Sequence, residues 1–307
     1  MNNVVMITGA NAGIGKETAR QLALTKDTKK IYLACRNEER AVEAKKFLEE
    51  STGRSIFEIL IMDVSNTVSV KKAIDQLHEP IDALIMNAGG TGGKNPEKLT
   101  KEGVTNITAT NLLGHVVLLE ELLSANKLKR VALFASSEAA RGIKQTGMKQ
   151  PNLRSSSIEE FKSVFDGTYF GNDFDPLQVY GMVKYGGTLW MSALARKYPK
   201  IRFISMSPGG TRGTQGFDDL PLLKRILFKY IGMSIFMPLM GLSHSLSKGA
   251  KRFVDGISNT SFESGKFYAS KEGVLTGPVV DQAKIFPDLD NRSYQDNASA
   301  AIHSFLN

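Results

Sequence analysis

Of 307 residues only one is cysteine, Cys35, one is tryptophan and four are histidine. A single thiol excludes any disulfide within the chain. His78, His115, His244 and His303 are too scattered to supply the closely spaced ligands of a metal site, and none is expected. Long apolar runs are missing too: the most apolar stretch, 220–242, is broken by Pro238, and its uninterrupted part falls short of the roughly 20 residues a bilayer-spanning helix needs. No basic n-region, apolar h-region or small-residue cleavage site precedes Val4, which gives the expectation of a cytoplasmic protein. No internal repeat, low-complexity tract or flexible linker divides the chain, so a single domain over 1–307 is expected.

The chain does carry a net charge of +8 and 42% apolar residues, enough for a sizeable core. Its basic residues are spread along the sequence and the motifs of nucleic-acid modules are absent, so no nucleic-acid partner is expected. Peripheral contact with a membrane and plain solubility both remain open. Short apolar runs at 4–7, 31–34, 56–62, 83–86, 131–134 and 202–205 alternate with stretches whose apolar residues recur every three or four positions. With a further strand at 266–268, that alternation predicts an α/β fold: a Rossmann-type, doubly wound parallel sheet of about seven strands with helices on both faces. Two segments break the rhythm. One, at about 141–176, is polar; the other, at about 211–250, is rich in Leu, Ile, Phe and Met.

Residues 8–15 read Thr-Gly-Ala-Asn-Ala-Gly-Ile-Gly, between the first strand and the first helix. Glycines there let the backbone turn tightly beside a pyrophosphate, and the helix start offers unpaired N–H groups, so Gly9, Asn11, Ala12, Gly13, Ile14 and Gly15 are candidate dinucleotide contacts. The second strand ends in Cys35-Arg36-Asn37, with no acidic residue to hold a ribose hydroxyl. A guanidinium can pair with a 2′-phosphate, so Arg36 points to NADP(H), with Arg40 as a second contact. Asp63 and Val64 end the third strand, and Asn87, Ala88 and Gly89 the fourth, both at the edge where open α/β sheets bind ligands.

Of the eight tyrosines, only Tyr180 has a lysine, Lys184, one helical turn later. The spacing by itself fits a solvated helix face. It also fits a general acid/base, since a nearby cation lowers a phenol's pKa.

With these motifs in order, the chain resembles the short-chain dehydrogenase/reductase family over about residues 1–215. The run from Thr8 through Lys16 to Ala19, Ala34-Cys35-Arg36, and Asn111-Leu-Leu-Gly-His115 resemble its retinol dehydrogenase and protochlorophyllide reductase branch. The resemblance implies a catalytic set of Asn111, Ser137, Tyr180 and Lys184. Tyr180 would exchange a proton with the substrate oxygen while hydride moves to or from the nicotinamide. Lys184 would lower the phenol pKa and bond the nicotinamide ribose, Ser137 would bond the substrate oxygen, and Asn111 would hold a water relaying protons to Lys184. Pro208, Gly209 and Thr211 would flank the nicotinamide, with the usual threonine position falling on Gly213. The 141–176 insertion is expected to wall one side of the substrate pocket. The 211–250 segment would be a lid over a small but bulky lipophilic substrate, with Met233, Met237 and Met240 giving an adaptable surface; ordinary core packing or a subunit interface fits it equally. Monomer and homodimer both stay open. Reduction of a conjugated C=C bond, or NADP(H) binding without turnover, are the alternative functions.

Overall fold

The structure is a computed structural model, and it describes residues 3–212 and 242–306. The proposed lid residues Met233, Met237 and Met240, and Gly213 and Thr214 at its start, lie outside that range.

Strands β1 (Val4–Thr8), β2 (Lys30–Cys35), β3 (Phe57–Ile61), β4 (Ile81–Met86), β5 (Leu128–Ala135), β6 (Arg202–Met206), β7 (Phe267–Ser270) and β8 (Val279–Asp281) form one sheet. Its order is β3-β2-β1-β4-β5-β6-β7-β8, parallel throughout except for β8, which pairs antiparallel with β7. The expected seven strands are there, and β8 is an added edge strand made by a short return after β7. Side chains alternate between faces, as the two-residue period of a strand requires. Met6, Leu84, Met86, Ala132, Phe134 and Phe203 enter one apolar core, while Val5, Ile7, Ala83, Ile85, Val131, Leu133 and Ile204 enter the other. Burial on both sides explains why these strands are near-continuous apolar runs.

Helices α1 (Gly13–Ala23), α2 (Glu38–Thr52) and α7 (Leu246–Ser258) contribute to the second core. The first is covered by α3 (Thr67–Asp75), by a helical stretch α4 that runs through Asn106–Thr108, a π-helical turn Ala109–Leu113 and Gly114–Ser124, and by α6 (Pro176–Lys197). Asp175 starts α6, its carboxylate accepting from the Leu177 N–H at 2.8 Å, and Pro176 fits the first turn because its missing N–H has no partner there to lose.

The insertion is more ordered than its polar composition suggests. Ser157 caps a helix, α5 (Ile158–Asp166), whose Phe161, Val164 and Phe165 are buried in the first core. The C-terminal helix α8 (Arg292–His303) packs there too, and the Asn297 amide donates to the Ser156 carbonyl at 2.9 Å. No helix among the described residues is long and apolar enough to cross a membrane.

Candidate active site

The crossovers from β1 and from β4 run in opposite directions, leaving a crevice at the carboxyl ends of those two strands. Thr8 knots the two together. Its hydroxyl oxygen accepts from the Asn87 and Ala88 N–H groups, both at 2.9 Å, and the Asn87 amide donates to the Thr8 carbonyl at 2.9 Å. Gly9 and Gly13 take positive φ, +66° and +53°, which side chains of L-residues rarely adopt. A Cβ on Gly15 would lie 2.5 Å from the Gly9 carbonyl oxygen and 2.6 Å from the Asn87 amide nitrogen. Ala12 precedes α1 with no side-chain cap, so the helix's first N–H groups open onto the crevice. The turn thus has the shape of a phosphate cradle, and its residues fit a dinucleotide.

Arg36 is exposed at the end of β2 and forms no ion pair among the described residues. Arg40 is exposed as well, and its N–H is capped by the Asn37 side chain at 2.8 Å. Asp63 has one carboxylate oxygen tied to Ser65, at 2.9 Å to the N–H and 2.7 Å to the hydroxyl.

Tyr180 and Lys184 do come together with Ser137. The two serines after β5 diverge: Ser136 is buried against the Thr188 hydroxyl at 2.8 Å, while the Ser137 hydroxyl lies on the Tyr180 side, close enough to act on the phenol's pKa. Lys184 is buried, donates to the Ala135 carbonyl at 2.7 Å, and has its ammonium 5.5 Å from the Tyr180 ring centroid and 4.8 Å from that of Phe134. The expected depression of the phenol pKa is not what these residues produce. Burial pushes Tyr180 up to about 12, with the Ser137 hydroxyl opposing and the Glu138 charge assisting. Burial likewise pushes Lys184 down to about 7, because a buried ammonium with no carboxylate partner among the described residues is poorly solvated.

Asn111 sits in the π-helical turn with its side chain committed to backbone. Its amide nitrogen donates to Gly90 at 2.6 Å and Ile107 at 2.8 Å, and its oxygen accepts from the Gly90 N–H at 3.1 Å. The side chain is therefore a clamp on the 89–90 loop, so a water-relay role would fall to its remaining oxygen lone pair or its main chain. A Cβ on Gly89 would meet the Asn111 side-chain oxygen at 2.5 Å and the Lys184 ammonium at 3.5 Å, which is how closely that loop passes over both.

Behind Asn111 lies His115, fully buried. Both lone pairs of the Thr8 hydroxyl are taken by Asn87 and Ala88, so its proton points to His115 Nε2 at 3.1 Å; the ring proton then sits on Nδ1, 3.5 Å from the Asn111 carbonyl. A neutral ring agrees with a pKa pushed down to about 3, by burial first and then by the Lys184 charge.

After β6 the turn through Pro208 and Gly209 passes closely over Leu275. Thr211 folds back, its hydroxyl donating to the Pro208 and Gly209 carbonyls at 3.1 Å, and His244 also hydrogen-bonds the Pro208 carbonyl at 2.8 Å. Ile143 and Met148, which face each other across an isolated bridge in the insertion, pack with Ala139, Leu242, Leu275 and Tyr180 into a small apolar cluster. The first part of the insertion therefore stands beside Tyr180, and the later part is core. Sequence reasoning missed Glu138, His115 as a support, and Leu275. His115 had a usable signal, one helical turn after Asn111, and Glu138 had its adjacency to Ser137; Leu275 had none.

A family model described as short chain dehydrogenase matches residues 3–145. Dehydrogenase/reductase SDR family member 12 of Bos taurus is 32% identical over 210 residues, 66% of this chain and 59% of that protein, so the chain spans about three fifths of that relative's length. The uncharacterized oxidoreductase C736.13 of Schizosaccharomyces pombe is 30% identical over 259 residues, 79% of this chain and 70% of that one. An L-sorbose reductase from Gluconobacter frateurii, solved with NADPH and L-sorbose, superposes with a TM-score of 0.62 at 20% identity, covering 89% of this chain and 96% of that one. That likeness establishes the fold.

Proposed function

The chain belongs to the short-chain dehydrogenase/reductase family, and from that premise we propose that it is an NADP(H)-dependent oxidoreductase acting on a carbonyl or secondary alcohol of a bulky apolar molecule. The observation that carries this reading is the convergence of Tyr180, Ser137 and Lys184 beside the Gly89 loop and the glycine-lined cradle. Exposed Arg36 at the end of β2 supports NADP(H) over NAD(H), in keeping with the NADPH bound by the L-sorbose reductase of similar fold. The residues that would hold the dinucleotide are Gly9, Asn11 to Gly15, Arg36, Asp63, Val64, Asn87 to Gly89 and the Pro208–Gly209 turn.

The nicotinamide, when bound, supplies or accepts the hydride. As a carbonyl oxygen gains negative charge, the Tyr180 hydroxyl gives it a proton and Ser137 donates a hydrogen bond to it. A phenol pushed up to about 12 is fully protonated at neutral pH, ready for the acid role, and is still more acidic than the alcohol it produces. Lys184, held by the Ala135 carbonyl, stabilises the phenolate left behind. In the oxidative direction the same groups run in reverse. Ile143, Met148, Leu242 and Leu275 beside Tyr180 favour an apolar substrate.

The test is NADPH oxidation with a panel of apolar ketones, aldehydes and enones. We expect turnover of carbonyls, lost by about 1,000-fold in Tyr180→Phe, with NADPH affinity read through the only tryptophan, Trp190, nearly unchanged. Tight NADPH binding with no turnover by the wild type would overturn the enzyme reading in favour of a nucleotide-binding sensor. Turnover confined to enones at the C=C bond would move the reaction to conjugate reduction.

A further inference from the structure

Next to the reacting groups lies a buried polar knot that the chemistry above leaves unused. Glu138, the neighbour of Ser137, is 3% exposed, and Arg252 of α7 is 8% exposed. One Glu138 oxygen accepts from the Ser270 N–H at 3.1 Å and stands 3.6 Å from Arg252 Nη1; the other accepts from the Ser207 hydroxyl. Arg252 donates to the Ser207 carbonyl at 3.2 Å, and to the Ser270 hydroxyl and the Gly277 carbonyl, both at 2.8 Å. The Ser207 hydroxyl oxygen accepts from the Gly209 N–H at 3.0 Å. A Cβ on Gly209 would come within 2.6 Å of Arg252 Nη1, so the guanidinium packs directly against that turn.

The Glu138–Arg252 pair therefore connects five pieces of chain: the residue after Ser137, the turn through Pro208 and Gly209, the end of β7, α7, and the loop between β7 and β8. Stability alone is a weak reason for such an arrangement, because desolvating two charges offsets most of what their attraction returns. Position is a stronger one. The knot is almost wholly buried, its partners gather at the carboxyl edge of the sheet, and two of the joined segments carry the groups that must meet in the reaction. Ala139, one residue on, belongs to the apolar cluster against which Tyr180 packs.

We propose that Glu138 is a positioning residue that sets the spacing between the Ser137–Tyr180 pair and the turn through Pro208 and Gly209, acting through Ser207 and Arg252. The proposal rests on the reading of this site as a hydride-transfer centre. Glu138 touches none of the reacting atoms. It fixes the two walls between which they meet, where displacement of about an ångström is enough to slow a reaction severely.

The test uses the full chain with Glu138→Gln, Glu138→Asp and Arg252→Lys. Three quantities are read: NADPH affinity by Trp190 emission, kcat and KM for an apolar ketone, and folding by circular dichroism. Glu138→Gln keeps a hydrogen-bond acceptor but loses the charge. We expect it to stay folded, to bind NADPH about 10-fold more weakly and to lose about 10-fold in kcat with the ketone KM within about 2-fold. Glu138→Asp should recover at least half of both losses on a logarithmic scale. A folded Glu138→Gln with wild-type affinity and kcat would overturn the proposal, and so would losses that Glu138→Asp fails to rescue. If Glu138→Gln does not fold, Arg252→Lys, which keeps the charge and loses the fork, should show the same weakened NADPH binding; wild-type binding there overturns the proposal. If the wild type turns over no carbonyl, the hydride-transfer reading fails by itself, and the NADPH affinities of the same variants still decide whether Glu138 governs the turn.

Discussion

The dinucleotide end and the reacting end of this site are made in different ways. The cradle is seven consecutive residues, Gly9 to Gly15, whose shape is dictated by what is missing from them: side chains at Gly9, Gly13 and Gly15, and a capping group at Ala12. The reacting end is assembled from β5, α6, the turn after β6, the insertion and the β7–β8 loop, and no two neighbours in the sequence do the same work there. Ser136 and Ser137 differ by one position, yet one is sealed in the core against Thr188 and the other reaches Tyr180. A local backbone motif tolerates changes around it and fails at single atoms. An assembled cluster depends on packing between elements and degrades more gradually, except at the group that moves the proton.

That contrast can be broken by paired substitutions. Tyr180→Phe should remove turnover by about 1,000-fold while leaving NADPH affinity within about 3-fold. Gly15→Ala should do the opposite first, weakening NADPH binding by about 100-fold, close to 2.8 kcal/mol, because its Cβ would press into the Gly9 carbonyl. If the NADPH affinity of Gly15→Ala stays within about 2-fold of the wild type in a fluorescence titration, the cradle is not where the nucleotide sits.

Arg36→Asp sharpens the same end at its rim. A carboxylate in place of the guanidinium should shift preference from NADPH toward NADH by about 10- to 100-fold in kcat/KM, and an unchanged ratio would remove Arg36 from recognition. At the reacting end, Leu275→Ala should raise the KM for a bulky apolar ketone by about 3- to 10-fold with kcat little changed, the effect of losing part of one apolar wall. A ketone small enough not to reach Leu275 should be unaffected.

The smallest effect concerns the C-terminal helix that backs the reacting end. His303 of α8 is hydrogen-bonded to Glu120 of α4, and that bond first, with the Ser299 carbonyl assisting, raises its pKa above the ordinary 6.5. A pKa raised on folding stabilises the protein fully below the unfolded value near 6.5, and the contribution disappears as pH rises through the higher folded value. Both side chains are about a third exposed, so solvent screens the pair. His303→Gln should therefore lower Tm at pH 5.5 by no more than about 3 °C and by less at pH 8.5; an equal loss at both would mean that packing, not charge, is what His303 provides.

Legibility followed the same divide. The parallel strands, the cradle, Arg36 and the Tyr180–Lys184 turn are written in short stretches where residue type and spacing have one physical meaning. The insertion was legible only as an interruption, because its polar residues outnumber Phe161, Val164 and Phe165, which carry its packing. The phenol pKa is not legible in the sequence for a related reason. Spacing puts a lysine one turn from Tyr180, but whether the cation or the burial dominates depends on how deeply the rest of the chain encloses both.

By itself, then, the sequence determined the elements that local geometry controls: strands by alternation, a phosphate-sized turn by absent side chains, a tyrosine and a lysine on one helix face. Only the tertiary structure decided which serine faces the phenol, that Asn111 clamps a loop, that Leu275 stands near Tyr180, and that Glu138 and Arg252 meet. Those relations join residues far apart in the chain, and the packing of the sheet, not the spacing of the letters, sets their distances.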